Sequence, residues 1–152
     1  MRTAVYTTLL AAITGYAAAG GEETITVSDL SIHKQGSPVG LKIESVKFKV
    51  TGADADNLEC SGTNVAFPTP DDILPCGKSD YSWTLWAGEE GEEFRIMVYH
   101  DVGDSHADLR GWHDIPTVCD NSHGSGPADE ICTQDKPVTW KIDGPVGSSP
   151  DL

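Results

Sequence analysis

The fold class is decided by residues 81–100, YSWTLWAGEEGEEFRIMVYH. In the first part, Tyr81, Trp83 and Leu85 occupy alternate positions, and in the last part Phe94 begins a second alternating run. A period of two places successive side chains on opposite faces of a β-strand. The glycines and glutamates of residues 88–93 separate the two runs and predict a hairpin loop. The stretch therefore predicts two antiparallel strands.

Other parts of the chain show the same alternation. The apolar positions of two further predicted strands are Val46, Phe48 and Val50, and Val138, Trp140 and Ile142. The alternation changes parity near Glu44–Ser45 and near Ser28–Asp29, which predicts one β-bulge at each place. Residues 20–152 show no sustained helical period. We therefore expect an all-β domain, a single curled antiparallel sheet that forms a β-barrel or a β-sandwich.

The N-terminal residues indicate export. Arg2 is the only charged residue before Glu22, and a short apolar run follows from residue 9 to residue 18. This run is too short to cross a bilayer and is typical of a signal peptide, which we expect to be cleaved after Ala19. Residues 20–152 then form one secreted domain. We expect it to be ordered over about 24–143, with a flexible tail at 145–152.

The chain is strongly acidic, with a formal net charge of −14. Because residues 1–19 carry one arginine and no acid, the predicted processed chain has a charge of −15. Such a charge disfavours nucleic acid and anionic lipid as partners and favours a soluble monomer. No second apolar run of membrane-spanning length is present, so we expect no membrane insertion.

Four cysteines, Cys60, Cys76, Cys119 and Cys132, all follow residue 19. In an oxidising compartment an even number of cysteines predicts two disulfides, for which three pairings are possible. The sequential pairing closes two short loops, each contributing about 3 kcal/mol in the chain-entropy model. A zinc site is the competing interpretation, but Cys-x-x-Cys and His-x-x-x-His spacings are absent.

The sequence contains no recognisable catalytic motif. The cysteines are assigned to disulfides, and Gly36-Ser37-Pro38 lacks the frame of a nucleophile elbow. Histidines and aspartates between residues 100 and 123 have no spacing that fixes two metal ligands on one element. Asp54 and Asp56 begin like a calcium loop, but the pattern fails at Leu58, leaving only a weak calcium hypothesis. We expect no enzyme activity and no cofactor.

Aromatic and acidic side chains are the binding candidates. Trp83 and Trp140 are in phase with the apolar positions of their strands and are assigned to the core. Trp86 faces the opposite side of its strand from Trp83, and Trp112 is placed in a loop between Gly111 and His113. Both are therefore candidates for exposure, and an exposed indole can stack on a sugar or anchor a protein contact. The acidic candidates are Glu89, Glu90, Glu92 and Glu93. They form either a solvated hairpin tip or a binding site for a basic partner.

Several short motifs occur in a familiar order. They are Val46-Lys47-Phe48-Lys49-Val50, Leu58-Glu59-Cys60-Ser61, Leu74-Pro75-Cys76, Phe94-Arg95-Ile96, Ile115-Pro116-Thr117-Val118-Cys119 and, after a glycine-rich stretch, Cys132-Thr133-Gln134. The series resembles the Alternaria major-allergen-like family of small secreted fungal β-barrel proteins, over nearly all of residues 20–152. The allergen type has an additional N-terminal cysteine that links a dimer, and residues 20–59 contain none.

The resemblance implies a curled β-barrel or sandwich, two sequential disulfides, Cys60–Cys76 and Cys119–Cys132, and no established catalytic centre. It also implies an extracellular effector or elicitor that is perceived by host plants, with a thaumatin-like defence protein as one partner. We therefore expect a secreted fungal effector that binds a host extracellular protein. The alternatives are an extracellular carbohydrate- or small-ligand-binding module and, third, a secreted glycosidase-type enzyme with paired carboxylates.

Overall fold

The computed structural model describes residues 21–103 and 109–144. The predicted signal peptide and the predicted C-terminal tail at 145–152 lie outside these residues. The strands are β1 (Glu23–Ser37), β2 (Gly40–Gly52), β3 (Ala55–Val65), β4 (Leu74–Pro75), β5 (Tyr81–Ala87), β6 (Phe94–His100), β7 (Leu109–Ile115), β8 (Thr117–Asp120), β9 (Asp129–Gln134) and β10 (Val138–Ile142). The described part of the chain contains no helix that is long and apolar enough to cross a membrane.

The strands form two antiparallel sheets that pack as a sandwich. The larger sheet has the order β3-β2-β1-β9-β8, with β10 also paired to β1, and the smaller has the order β4-β5-β6-β7. The hairpin predicted for residues 81–100 is β5 and β6, paired from Tyr81–His100 to Ala87–Phe94. The all-β class and the sandwich alternative are confirmed, with the strands divided between two sheets instead of one curled sheet.

Both predicted bulges are confirmed. In the pairing of β1 with β2, Ser28 lies opposite Lys49 but Ser31 lies opposite Lys47, so β1 has one additional residue. Asp29 lies in this bulge with a φ of 54°. At this bulge β1 changes its second partner, from β10 before it to β9 after it. The second bulge places its additional residue, Glu44, on β2.

The core lies between the inner faces of the two sheets. Its largest buried side chains include Trp83 and Phe48, whose rings meet edge to face at 5.1 Å. Trp140 is also buried, so the assignment of Trp83 and Trp140 to the interior is correct. Burial of the apolar side chains of this core, aliphatic and aromatic, is the main favourable contribution to folding.

Two disulfides reinforce the sandwich. Cys60 of β3 bonds Cys76, which directly follows β4, so this bridge joins the two sheets. Cys119 bonds Cys132, its register partner across β8 and β9. The structure thus has the sequential pairing. The covalent loop closed by the first disulfide contains the proline-rich segment 66–73, and that closed by the second contains the glycine-rich segment 121–128.

Candidate functional site

The outer face of the smaller sheet carries nine side chains in three cross-strand rows. The rows are Trp86–Arg95–Asp114, Thr84–Met97–Trp112 and Ser82–Tyr99–Arg110. Cross-strand partners project to the same side of a sheet, and their alternate neighbours, such as Leu85 and Ile96, are buried in the core. We call these nine side chains the outer array. It brings together Trp86 and Trp112, the two indoles that the sequence singled out.

Arg95 lies at the centre of the first row and is held on three sides. Its Nε and Nη2 donate to Asp114 Oδ1 and Oδ2 at 2.8 and 3.1 Å, and its Nη1 donates to Glu89 Oε1 at 3.1 Å. Its Cζ lies 3.7 Å from the ring centroid of Trp112, a cation–π stack. The hydrogen bonds that Arg95 donates to Asp114, and then the one to Glu89, raise the pKa of Arg95. The guanidinium is thus a fixed part of this surface.

The placement of Trp112 in a loop is wrong, because Trp112 lies in the middle of β7. The strand shows little apolar alternation, since only its ends, Leu109 and Ile115, are buried. Gly111 occupies an inward position because the β10 backbone passes close to it; a Cβ there would lie 2.7 Å from Lys141 O. Trp112 itself is half-buried and stacks on Arg95, which is only 8% exposed.

Trp86 lies at the opposite edge of the outer array and is also half-buried. Its Nε1 donates to Thr84 Oγ1 at 2.9 Å, which fixes the indole. Beside it runs an open groove of about 240 Å³, between the sheet and the loop that precedes β4. The groove is lined by Pro70, Asp71, Asp72, Ile73, Thr84, Trp86 and Tyr99. Asp71, Asp72 and Ile73 are exposed, and the sequence did not single them out.

The four glutamates of the hairpin do not form one patch. Glu89 pairs with Arg95, and Glu90 is exposed at the tip with a φ of 53°. Glu93 accepts two hydrogen bonds of 2.7 Å from the Nζ of Lys34, a buried lysine that also pairs with Glu130 at 3.0 Å. Burial lowers the pKa of Lys34, but the hydrogen bonds to Glu93 and Glu130 outweigh it and raise the pKa. Glu93 therefore stabilises the fold.

The candidate metal residues are not gathered into a site in the described part of the chain. The one described group of three candidate ligands is Glu93 with Cys119 and Cys132, and both cysteines are disulfide-bonded. Asp54 and Asp56 belong to no such group. Of the four histidines between residues 100 and 123, His100 is buried, His113 and His123 are exposed, and His106 lies outside the described residues.

A buried polar network, which was not predicted from the sequence, joins the start of β1 to the smaller sheet. Glu23 Oε1 accepts hydrogen bonds from Tyr81 OH at 2.5 Å and from the Ala53 N–H at 2.7 Å, and Glu23 Oε2 lies 2.6 Å from His100 Nδ1. The Tyr81 and His100 rings stack at 3.9 Å. Glu23 is in phase with Ile25, and His100 with Val98, a signal that could have predicted both as buried.

Comparison with known proteins places this architecture in a family. Residues 27–132 match the family model described as AltA1, Alternaria alternata allergen 1. The chain belongs to this family. The match includes all four cysteines and strands β2 to β8, and therefore the whole outer array and the groove.

Individual relatives agree with the family assignment. The chain is 33% identical over 121 residues to the effector protein PevD1 of Verticillium dahliae, covering 80% of this chain and 72% of the relative. Two crystal structures of the Alternaria alternata major allergen Alt a 1 match with a TM-score of 0.59 each, at 16% and 17% identity. They cover 82% and 89% of this chain and 96% and 99% of theirs. At this identity they show the fold. The family is thus one of allergens and effectors, as the resemblance indicated.

Proposed function

We propose that this protein is a secreted fungal effector or elicitor that binds a host plant protein outside the cell through the outer array and thereby triggers or modulates host defence. Two disulfides are typical of an oxidising extracellular compartment, which supports secretion. The relative named as an effector supports the biological class.

The observation that carries the proposal is the composition of the outer array. Tryptophan, tyrosine and arginine are the residue types in which protein-binding hot spots are enriched, and here they lie together on one sheet face. The array contains Trp86, Tyr99, Trp112, Arg95 and Arg110, all fixed on strands. A rigid surface of this kind loses little conformational entropy when it binds a partner. A thaumatin-like defence protein is the candidate partner.

A second candidate function is the binding of a carbohydrate or another small ligand in the groove. The specific observation is that Trp86 and Tyr99 both line it, and an aromatic face can stack on a sugar ring. The groove is open and small, so it would take one or two sugar units and not enclose a ligand.

The experiment is a comparison of single variants in a host response assay and in binding to host extracellular fluid. We expect Trp112→Ala to weaken both the host response and the binding more than Glu92→Ala does. Buried aromatic anchor residues carry more binding energy than charges at the rim of an interface. Lys47→Ala, on the outward side of β2, is the control for a general surface effect. Near-UV dichroism checks that each variant folds.

Single variants of the histidines, and of the carboxylates outside the outer array and the groove, test the assignment as a binding protein. If one of them abolishes the response in a folded protein, as loss of a catalytic group would, the proposal is wrong. An unchanged response in Trp112→Ala would also contradict it.

A further inference from the structure

The two indoles of the outer array differ in their cationic partners. Trp112 holds the guanidinium of Arg95 against its ring, with the carboxylate of Asp114 beside it. Trp86 lies directly opposite Arg95 in register, yet Arg95 stacks on Trp112. Among the described residues no cation stacks on Trp86.

The groove beside Trp86 is lined by the same types of side chain as the Arg95 site, aromatic groups and carboxylates. Its aromatic side is Trp86 with Tyr99, and its acidic side is Asp71 with Asp72. None of the ion pairs formed by described residues involves either aspartate. Asp72 Oδ1 accepts the Ile73 N–H at 2.9 Å, and its other oxygen has no hydrogen-bond partner in this part of the chain. Two carboxylates next to an aromatic face attract a cation through both charge and the ring quadrupole.

From this geometry we propose that the groove binds the guanidinium or ammonium group of a basic side chain of the partner protein. The inference rests on the proposed function, because it assigns the groove to the edge of the same protein-binding surface. The occupant would lie on Trp86 as Arg95 lies on Trp112, with Asp71 and Asp72 in place of Asp114. The net charge of −14 favours the approach of a basic partner over an acidic one.

The test uses a short peptide with three arginines and a matched peptide in which citrulline replaces each arginine. Citrulline keeps the shape and hydrogen-bonding groups of the side chain but has no charge. We expect the arginine peptide to shift the indole N–H resonance of Trp86 and the citrulline peptide to bind about tenfold more weakly. Trp86→Phe assigns the resonance.

Paired variants separate the groove from general charge attraction. The double variant Asp71→Asn with Asp72→Asn should bind the arginine peptide about tenfold more weakly. Asp80→Asn with Asp135→Asn removes the same charge from exposed positions at the other end of β5 and after β9, and should change affinity less than twofold. Equal losses in the two double variants, equal binding of the two peptides, or an unshifted Trp86 resonance would overturn the inference.

Two further outcomes are informative. If cellohexaose shifts the Trp86 resonance and the arginine peptide does not, the groove is a carbohydrate site and the inference is wrong. If capture of host protein depends on Trp112 while the groove variants change nothing, the inference fails and the proposed function stands.

Discussion

Glu23 is the carboxylate on which the polar contact between the two sheets depends. It is 8% exposed, and burial alone would raise its pKa. The hydrogen bonds from Tyr81, the Ala53 N–H and His100 outweigh burial, so the pKa of Glu23 is lowered from 4.5. A carboxyl group with a lowered pKa stabilises the folded state above its unfolded pKa, and this contribution is lost as the pH falls through the folded pKa.

We therefore predict that Glu23→Gln lowers the free energy of unfolding at pH 7 by about 1–3 kcal/mol, since it leaves buried donors poorly paired. The difference from the parent should shrink as the pH falls below 4.5 toward the lowered pKa of folded Glu23, because the unfolded chain takes up the proton first. Urea unfolding between pH 3 and pH 7 measures both effects. Glu22→Gln is the control, because Glu22 is exposed and its one ion pair among the described residues is with the exposed Lys141. A loss of stability that is the same at pH 3 and pH 7 would contradict the assignment.

At the scale of strands, the central strands of the sheets could be predicted from the sequence and the edge strands could not. The β5–β6 hairpin and both bulges follow from apolar alternation and its changes of parity. By contrast, the edge strand β3 buries only Cys60 and Val65, and the edge strand β8 buries none of its four residues. Edge strands face solvent along one side, so the period of two has little apolar content there. For the same reason the sequence did not place Trp112 on a strand.

The seam between β7 and β10 depends on a glycine. We predict that Gly111→Ala destabilises the protein by about 1–3 kcal/mol, because its Cβ would lie 2.7 Å from Lys141 O and 3.1 Å from Ile142 Cα, and backbone has little room to move. Gly126→Ala is the matched control, since nothing lies within 4 Å of a Cβ there. Thermal unfolding of both variants measures the difference. Equal melting temperatures would show that the seam is loose.

The hairpin glutamates should separate into two functions. We predict that Glu93→Gln lowers stability, because it leaves the buried Lys34 with a weaker partner. Glu90→Gln with Glu92→Gln should leave stability unchanged but slow association with a basic partner and flatten its dependence on salt. Urea unfolding and surface plasmon resonance at several ionic strengths distinguish these effects. A stable Glu93→Gln variant would contradict the structural role of that ion pair.

At the scale of the whole molecule, the two disulfides have similar loop lengths, with separations of 16 and 13 residues, but different surroundings. The chain-entropy contribution is about 3 kcal/mol for each. Cys60 and Cys76 are both fully buried and join the sheets, whereas Cys119 is partly exposed. We predict that replacing Cys60 and Cys76 by alanine lowers the free energy of unfolding more than replacing Cys119 and Cys132 by alanine. Urea unfolding of the two double variants, without reductant, measures this. Equal costs would mean that loop closure alone matters.

The assembly state stays a prediction. With a charge of −14 and no cysteine beyond the two disulfides, the protein should be monomeric at physiological salt. Light scattering at micromolar concentration tests this. A dimer that is insensitive to salt would contradict it, and one that appears only at high salt would reveal an interface masked by repulsion between like charges.

The positions of the disulfides have a consequence for survival among proteases. Loop cleavage requires an exposed backbone, and most residues of the two eight-residue loops 66–73 and 121–128 are exposed. A cut in the first loop leaves Cys60 and Cys76 on different fragments that are still bonded, and a cut in the second does the same for Cys119 and Cys132. A chain nicked in either place would migrate as one species until it is reduced, with its strands still paired. The molecule can therefore be cut at these loops without being taken apart.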